Sequence, residues 1–232
     1  MHVITFASSK GGAGKTTSAI ILATTLARSQ RVLLIDADPA KRLLSWSQKA
    51  PLPENLTVIA SGGERHIHDE IDKGKAEFDF TIVDLEGAAT RLNAYAMGES
   101  SLVIIPMGDE QPDAEGAIET LSQLALEART LRREIPVRIL FVRTQAAVKS
   151  RLEKSLNKQV RDKIGSFSTE LHRRTAYSSL HSFGGTLPDL PTDEVSGVQK
   201  AIMNADLFVE ELHATLRMIK EIHAKSTLKK EA

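Results

Sequence analysis

The sequence predicts a single α/β domain: a doubly wound, mostly parallel sheet of about seven strands flanked by helices. Three observations predict it. Short apolar runs alternate with longer helical patterns through most of the 232 residues, the chain order of a parallel sheet wrapped by crossover helices. The runs are rich in Val and Ile and mostly lack polar alternation, as strands buried on both faces require. The turn that follows the first run, SSKGGAGKTT, gathers three glycines between a strand and a helix.

The strands are expected at 3–7 (VITFA), 31–36 (RVLLID), 56–60 (LTVIA), 78–85 (FDFTIVDL), 101–106 (SLVIIP) and 137–143 (VRILFVR), with a weaker seventh at 167–171 (FSTEL). Helical patterns fill 15–29, 40–49, 64–75, 113–133 and 150–164. Residues 172–194 are irregular, with Gly184-Gly185 and prolines at 188 and 191, strong local breakers. A final helix over 196–225 carries Val198, Ile202, Leu207, Leu212, Leu216 and Ile219 as a broad apolar stripe. No repeat or linker interrupts the pattern, so residues 1–225 form one domain and 226–232 an expected disordered tail.

Composition narrows the function classes. Hydrophobic residues make up 41% and charged residues 26%, ordinary for a soluble globular chain. With no cysteine, the chain has no disulfide framework, thiolate nucleophile or cysteine-held iron–sulfur cluster. No apolar run approaches the roughly 18 residues that span a bilayer, and MHVITFASSK lacks a signal-peptide layout. The expected location is the cytoplasm, without stable membrane insertion. A formal net charge of zero conceals an asymmetry: nine basic residues against three acidic ones lie between Arg143 and Arg174, so an anionic partner is compatible with the total.

VITFASSKGGAGKTTSAIILATTLA reads as strand, glycine-rich turn, then helix, the context a phosphate loop requires. Gly11, Gly12, Ala13 and Gly14 bring backbone N–H groups toward phosphate oxygens, and the glycines permit positive φ. The helix that follows directs its positive end to the same place. Lys15 is placed to reach the β- and γ-phosphates, Thr16 to ligate Mg²⁺ and Thr17 to donate to the α-phosphate. Two features depart from the G-x-x-x-x-G-K-[ST] spacing: Ser9 stands where its first glycine belongs, and a second lysine, Lys10, follows it. Further on, period two puts Asp36 and Asp38 on one side at the end of the second strand, where open α/β sheets bind ligands. Asp38 ahead of Pro39 also suits a helix cap. FDFTIVDLEG ends a buried strand on Asp84, suited to hold Mg²⁺ through water.

KGGAGKTT resembles the deviant Walker A motif, KGGxGK[ST][ST], of the ParA/MinD family of P-loop ATPases. The resemblance implies an ATP hydrolase, dependent on Mg²⁺ and slow, that forms a homodimer around ATP. It gives Lys10 a catalytic role in trans on the partner subunit's phosphates, as an arginine finger acts. By the same resemblance Asp38 orients the attacking water, Asp36 supports the metal region, and Arg143 and Thr144 are candidates for reading adenine. Ala40 and the sequence Leu85-Glu86-Gly87 depart from the family's usual switch sequences, and Glu86 is given no role. The chain begins one strand before the loop, so the resemblance is to the short plasmid-partition type, without an N-terminal helix-turn-helix. Short relatives of that type also assist conjugative DNA transfer.

In such proteins ATP controls a surface. The expected one is basic: Lys149, Arg151, Lys154, Lys158 and Arg161, with Arg173 and Arg174 beyond the predicted helix. Positions 151, 154, 158 and 161 share nearly one helical face. Doubled in a dimer, this face would engage roughly six to ten phosphates, enough for non-specific DNA binding with strong salt dependence. An ordinary solvated helix has the same pattern. A ParB-like or relaxosome-type protein would stimulate hydrolysis, and the ATP form would associate with the nucleoid. A MinD-like positioning ATPase is the main alternative, although the C-terminal segment has few bulky apolar anchors. A metabolic P-loop enzyme would need a polar substrate pocket; His66, His68, His172 and His181 are read as surface or structural residues.

Overall fold

In the computed structural model, which describes residues 1–144 and 164–230, seven strands form one parallel sheet in the order β3-β2-β4-β1-β5-β6-β7. The strands are β1 (His2–Phe6), β2 (Val32–Ala37), β3 (Leu56–Ala60), β4 (Phe80–Leu85), β5 (Leu102–Met107), β6 (Val137–Thr144) and β7 (Leu171–His172). The helices are α1 (Lys15–Leu26), α2 (Arg42–Ser47), α3 (Ile67–Glu77), α4 (Arg91–Gly98), α5 (Gln111–Thr130), α6 (Thr175–Phe183) and α7 (Val198–Lys230). All seven predicted strands are present, the last shortened to two residues with an isolated bridge from Ile139 to Ser166.

Period-two alternation divides each strand between two cores. Ile4 and Phe6 of β1, with Val32 and Leu34 of β2, pack against α1, α2, α6 and α7. Val3, Leu33, Ile35 and Val83 face α3, α4 and α5. Helices on both faces explain why the strand sequences are apolar without a break. α1 lies deepest, between the sheet and helices α6 and α7, and every residue from Ser18 to Leu26 is buried. Its buried Thr24 and Thr25 satisfy their hydroxyls by donating to the Ile20 and Ile21 carbonyls, each at 2.7 Å. Each large apolar side chain so buried contributes about 1.5–3 kcal/mol.

Two helices were not anticipated. α4 is short and mixed in polarity, and it starts on the Thr90 hydroxyl, which accepts from the Asn93 N–H at 3.2 Å. α6 occupies part of the segment read as irregular and ends at Gly184. α7 remains helical to Lys230, past the predicted end at 225 and into the expected tail. The predicted helix at 150–164 lies outside the described residues except for its last position. No helix among the described residues is long and apolar enough to cross a membrane.

Strand β1 lies at the centre, with β2–β4 on one side and β5–β7 on the other. The chain therefore reverses its winding direction there, and the loop leaving β1 opens into the crevice beyond the strands' carboxyl ends. The sheet order thus sets the location of the site.

Candidate active site

The loop from Ser8 to Gly14 joins β1 to α1. Gly14 takes φ of 96° as the cap residue of α1 and provides no side-chain acceptor for the helix's first N–H groups. Those donors face the crevice together with the helix's positive end. Lys15, the first helical residue, is buried, and among the described residues its ammonium donates only to the Ser8 and Lys10 carbonyls, at 3.3 and 3.5 Å. Burial lowers its pKa, opposed chiefly by the nearby Asp84 charge. An ammonium desolvated and held at two long distances is well placed to gain from an arriving phosphate.

Under the loop, the Thr16 hydroxyl donates to Oδ2 of Asp84 at 2.7 Å. Asp84 is fully buried at the end of β4, in register with Phe6 of β1 and Asp36 of β2. Its Oδ1 has no hydrogen-bond partner among the described residues. Burial pushes its pKa up to about 7. A buried carboxylate with one unfilled oxygen beside a hydroxyl fits a Mg²⁺ site, since the ion would restore the charge balance that burial removes. Asp36 is placed differently. Although it adjoins Asp84 in register, its two oxygens accept from the Asp38 N–H at 3.2 Å and the Leu44 N–H at 3.0 Å. Its carboxylate therefore anchors the loop entering α2, and burial raises its pKa as well.

The structure accounts for both unusual loop residues. Ser9 ties the loop to α5: its N–H donates to Thr120 Oγ1 at 2.8 Å and its hydroxyl to the Gly116 carbonyl at 3.0 Å. A glycine at position 9 would forfeit the second bond. Gly116 is needed for this approach, because a Cβ there would lie 3.0 Å from the Lys10 Cβ. The Lys10 ammonium forms an ion pair of 2.6 Å with Asp113, whose side chain is only 3% exposed. Arg143 meets the same carboxylate at 3.3 Å and donates to the Gly12 carbonyl at 2.8 Å. It does so from a left-handed backbone, φ 58°, a conformation that costs about 1 kcal/mol for a residue with a side chain.

Among the described residues, two cavities adjoin the loop. The smaller, about 250 Å³, runs along Gly12–Thr17 to Asp38, Arg42 and His181. Asp38 forms a local turn by accepting from the Ala40 N–H at 2.8 Å, and it pairs with Arg42 at 3.3 Å. The cap residue of α2 is Lys41, so the alternative of Asp38 as the helix cap does not apply. The larger cavity, about 330 Å³, extends from Gly12 past Ile21 and Val142 to Tyr177. Arg143 lines it, but Thr144 does not: it is fully buried, and its hydroxyl lies 2.8 Å from His172 Nδ1. Arg173 and Arg174 line the same cavity. The other basic candidates, Lys149, Arg151, Lys154, Lys158 and Arg161, lie outside the described residues.

Sequence reasoning missed Asp113, Arg42 and His181. Asp113 and Arg42 carry no signal beyond a charge near a helix start. His181 Nε2 lies 2.8 Å from Thr17 Oγ1 although 164 positions separate them, and no local pattern announces such a meeting.

Fold and loop together define a P-loop ATPase of the ParA/MinD type: a parallel sheet, a glycine-rich loop at its central strand carrying two lysines, and a strand-end aspartate beneath. The VirC1 protein family model matches residues 1–225, and the chain belongs to that family. Among curated proteins it is 33% identical to Protein ParA of Rhizobium radiobacter over 210 residues, covering 90% of this chain and 94% of that one. It is 27% identical to Protein virC1 of the same organism over 240 residues, covering 96% and 99%. Among solved structures, the ATP complex of a Cyanothece McdA variant superimposes with a TM-score of 0.74 at 18% identity, over 92% of this chain and 96% of that one.

Proposed function

We propose that the protein is a Mg²⁺-dependent ATPase that dimerises around ATP, binds DNA non-specifically in that state, and serves DNA partition. The observation that carries this reading is the pair of lysines at one loop. Lys15 is buried toward the phosphate crevice, whereas Lys10, 33% exposed, is held at the rim by Asp113. Two cations of such different placement suit two different triphosphates. The ATP complex of the McdA neighbour and the full-length similarity to ParA support the nucleotide and the partition role.

In this reading Lys15 and the α1 N-terminus hold the β- and γ-phosphates of the chain's own ATP. Thr16, with Asp84 through water, would hold Mg²⁺, which neutralises phosphate oxygens when bound. Asp38 orients water toward the γ-phosphorus; the bond to the β,γ-bridging oxygen breaks, leaving ADP and phosphate. Orienting water would draw Asp38 from its Arg42 partner, a pair in which the guanidinium is mostly exposed and the carboxylate only 14% exposed. Lys10 leaves Asp113 for the partner subunit's phosphates, so that pairing depends on ATP. Arg173, the exposed one of the two, contributes to the DNA surface; Arg174 is partly buried in the wall of the larger cavity. A second reading, accessory ATPase of DNA transfer, uses the same switch with a different cargo, and the match to the VirC1 family favours keeping it.

Two measurements test the proposal. Lys10→Ala should retain ATP affinity within about threefold yet stay monomeric with ATP in light scattering, because the lysine ammonium acts between subunits rather than within one. A normal ATP-dependent dimer would refute the trans role. Retention on non-specific duplex DNA should require ATP, fail with ADP, and fall by about 10³-fold or more between 50 and 200 mM salt if six or more phosphates are engaged. Binding independent of nucleotide and salt would remove the DNA switch.

A further inference from the structure

The two cavities beside the phosphate loop share one wall. Among the described residues, Gly12, Gly14, Thr17 and His181 alone line both. Three belong to the loop and the first turn of α1; the fourth comes from α6, at the far end of the chain. If ATP lies with its terminal phosphates over Lys15 and its base in the larger cavity, its α-phosphate and ribose cross this wall. His181 is held there from two sides. Its Nε2 lies 2.8 Å from the Thr17 hydroxyl, and its backbone carbonyl accepts from the Lys49 ammonium.

We infer that His181 is a positioning residue for nucleotide, its Nε2–H fixing the Thr17 hydroxyl so that Thr17 donates to the α-phosphate. The inference rests on the nucleotide reading above and adds to it a residue outside the phosphate-loop motif. A threonine hydroxyl has one hydrogen to give. With its proton on Nε2, the imidazole fills an acceptor site of Thr17 and leaves that hydrogen for a phosphate oxygen. With the proton on Nδ1, Nε2 would take the Thr17 hydrogen and turn it away from the ligand. Nucleotide therefore selects the Nε2–H tautomer. Burial, then the charges of Lys49 and Arg42, lower the imidazole pKa, so at pH 7 the ring is neutral with a single proton to place.

The test uses the full chain and calorimetric titration with MgATP and MgADP. His181→Phe keeps ring volume without nitrogen. It should weaken both nucleotides about tenfold, because Thr17 loses the partner that directs its hydrogen bond to a charged phosphate oxygen. The losses should be equal, since the α-phosphate and ribose are common to both. His181→Gln, with an amide near the Nε2 position, should recover most of the affinity. Wild-type affinity in His181→Phe, or a loss confined to ATP, would overturn the inference. If His181→Phe fails to fold, imidazole ¹⁵N spectra of the wild-type protein decide. With MgADP bound the His181 Nε2 resonance should lie at the protonated position, and an unprotonated Nε2 in the complex would overturn the inference. A wild-type chain that binds neither nucleotide would instead remove the nucleotide reading.

Discussion

Lys15→Ala is expected to reduce affinity for ATP and ADP by about a hundredfold or more while leaving the fold intact. Truncating one partner of a desolvated, hydrogen-bonded charge pair costs about 2–5 kcal/mol, and Lys15 is the cation buried deepest at the phosphate crevice. The fold should survive because the nucleotide-free ammonium donates only to two backbone carbonyls among the described residues, both beyond 3.2 Å. Calorimetric titration measures the first effect and thermal unfolding without nucleotide the second. Wild-type ATP affinity in the variant would remove the phosphate-loop assignment. Lys10→Ala should do the opposite, sparing affinity and losing the dimer, so the pair of variants separates binding from assembly.

Asp84→Asn is expected to stabilise the nucleotide-free protein and to abolish the Mg²⁺-dependent part of ATP binding. Asp84 in the folded protein titrates at about 7 against an ordinary value of 3.8. Between these values the folded chain holds a proton that the unfolded chain has released, so stability falls as pH rises from about 4 to 7. Above pH 7 the whole penalty is present, at most roughly 4 kcal/mol for a rise from 3.8 to about 7. Asparagine removes that penalty and still offers Thr16 an acceptor. Thermal unfolding with a chelator should show a higher midpoint for the variant at pH 8 and a smaller gap between variant and wild type at pH 4. Some slope should persist, because burial raises the pKa of Asp36 too. A variant less stable than wild type at pH 8 would show that Asp84 is not a strained anion in the free protein.

What could be read from the sequence follows the range of the interactions. Strand positions were legible because helices on both faces demand unbroken apolar runs, and β2, β4 and β5 are buried along their full length. Lys15, Thr16 and Asp84 were legible because strand, turn and helix order them locally; Thr16 and Asp84 meet at 2.7 Å. α4 and α6 were not, since eight or nine residues of mixed polarity give too few turns for a period to emerge. Thr144 occupies the strand end as expected, and its side chain turns into the interior to meet His172, a partner that lies 28 positions away. Asp113 and His181 depend on interactions that join α5 and α6 to the loop from more than a hundred positions away, and no sequence window contains both partners.

The carboxylate of Asp113 has two basic companions, and that doubling governs how easily the loop can change state. Were Lys10 its sole counterion, departure would strand a dehydrated anion, an event costing several kcal/mol. With the Arg143 guanidinium already in place at 3.3 Å, the anion keeps an ally whichever way the lysine points. Release of Lys10, which the proposed move to a partner subunit's phosphates requires, would thus leave Asp113 still paired.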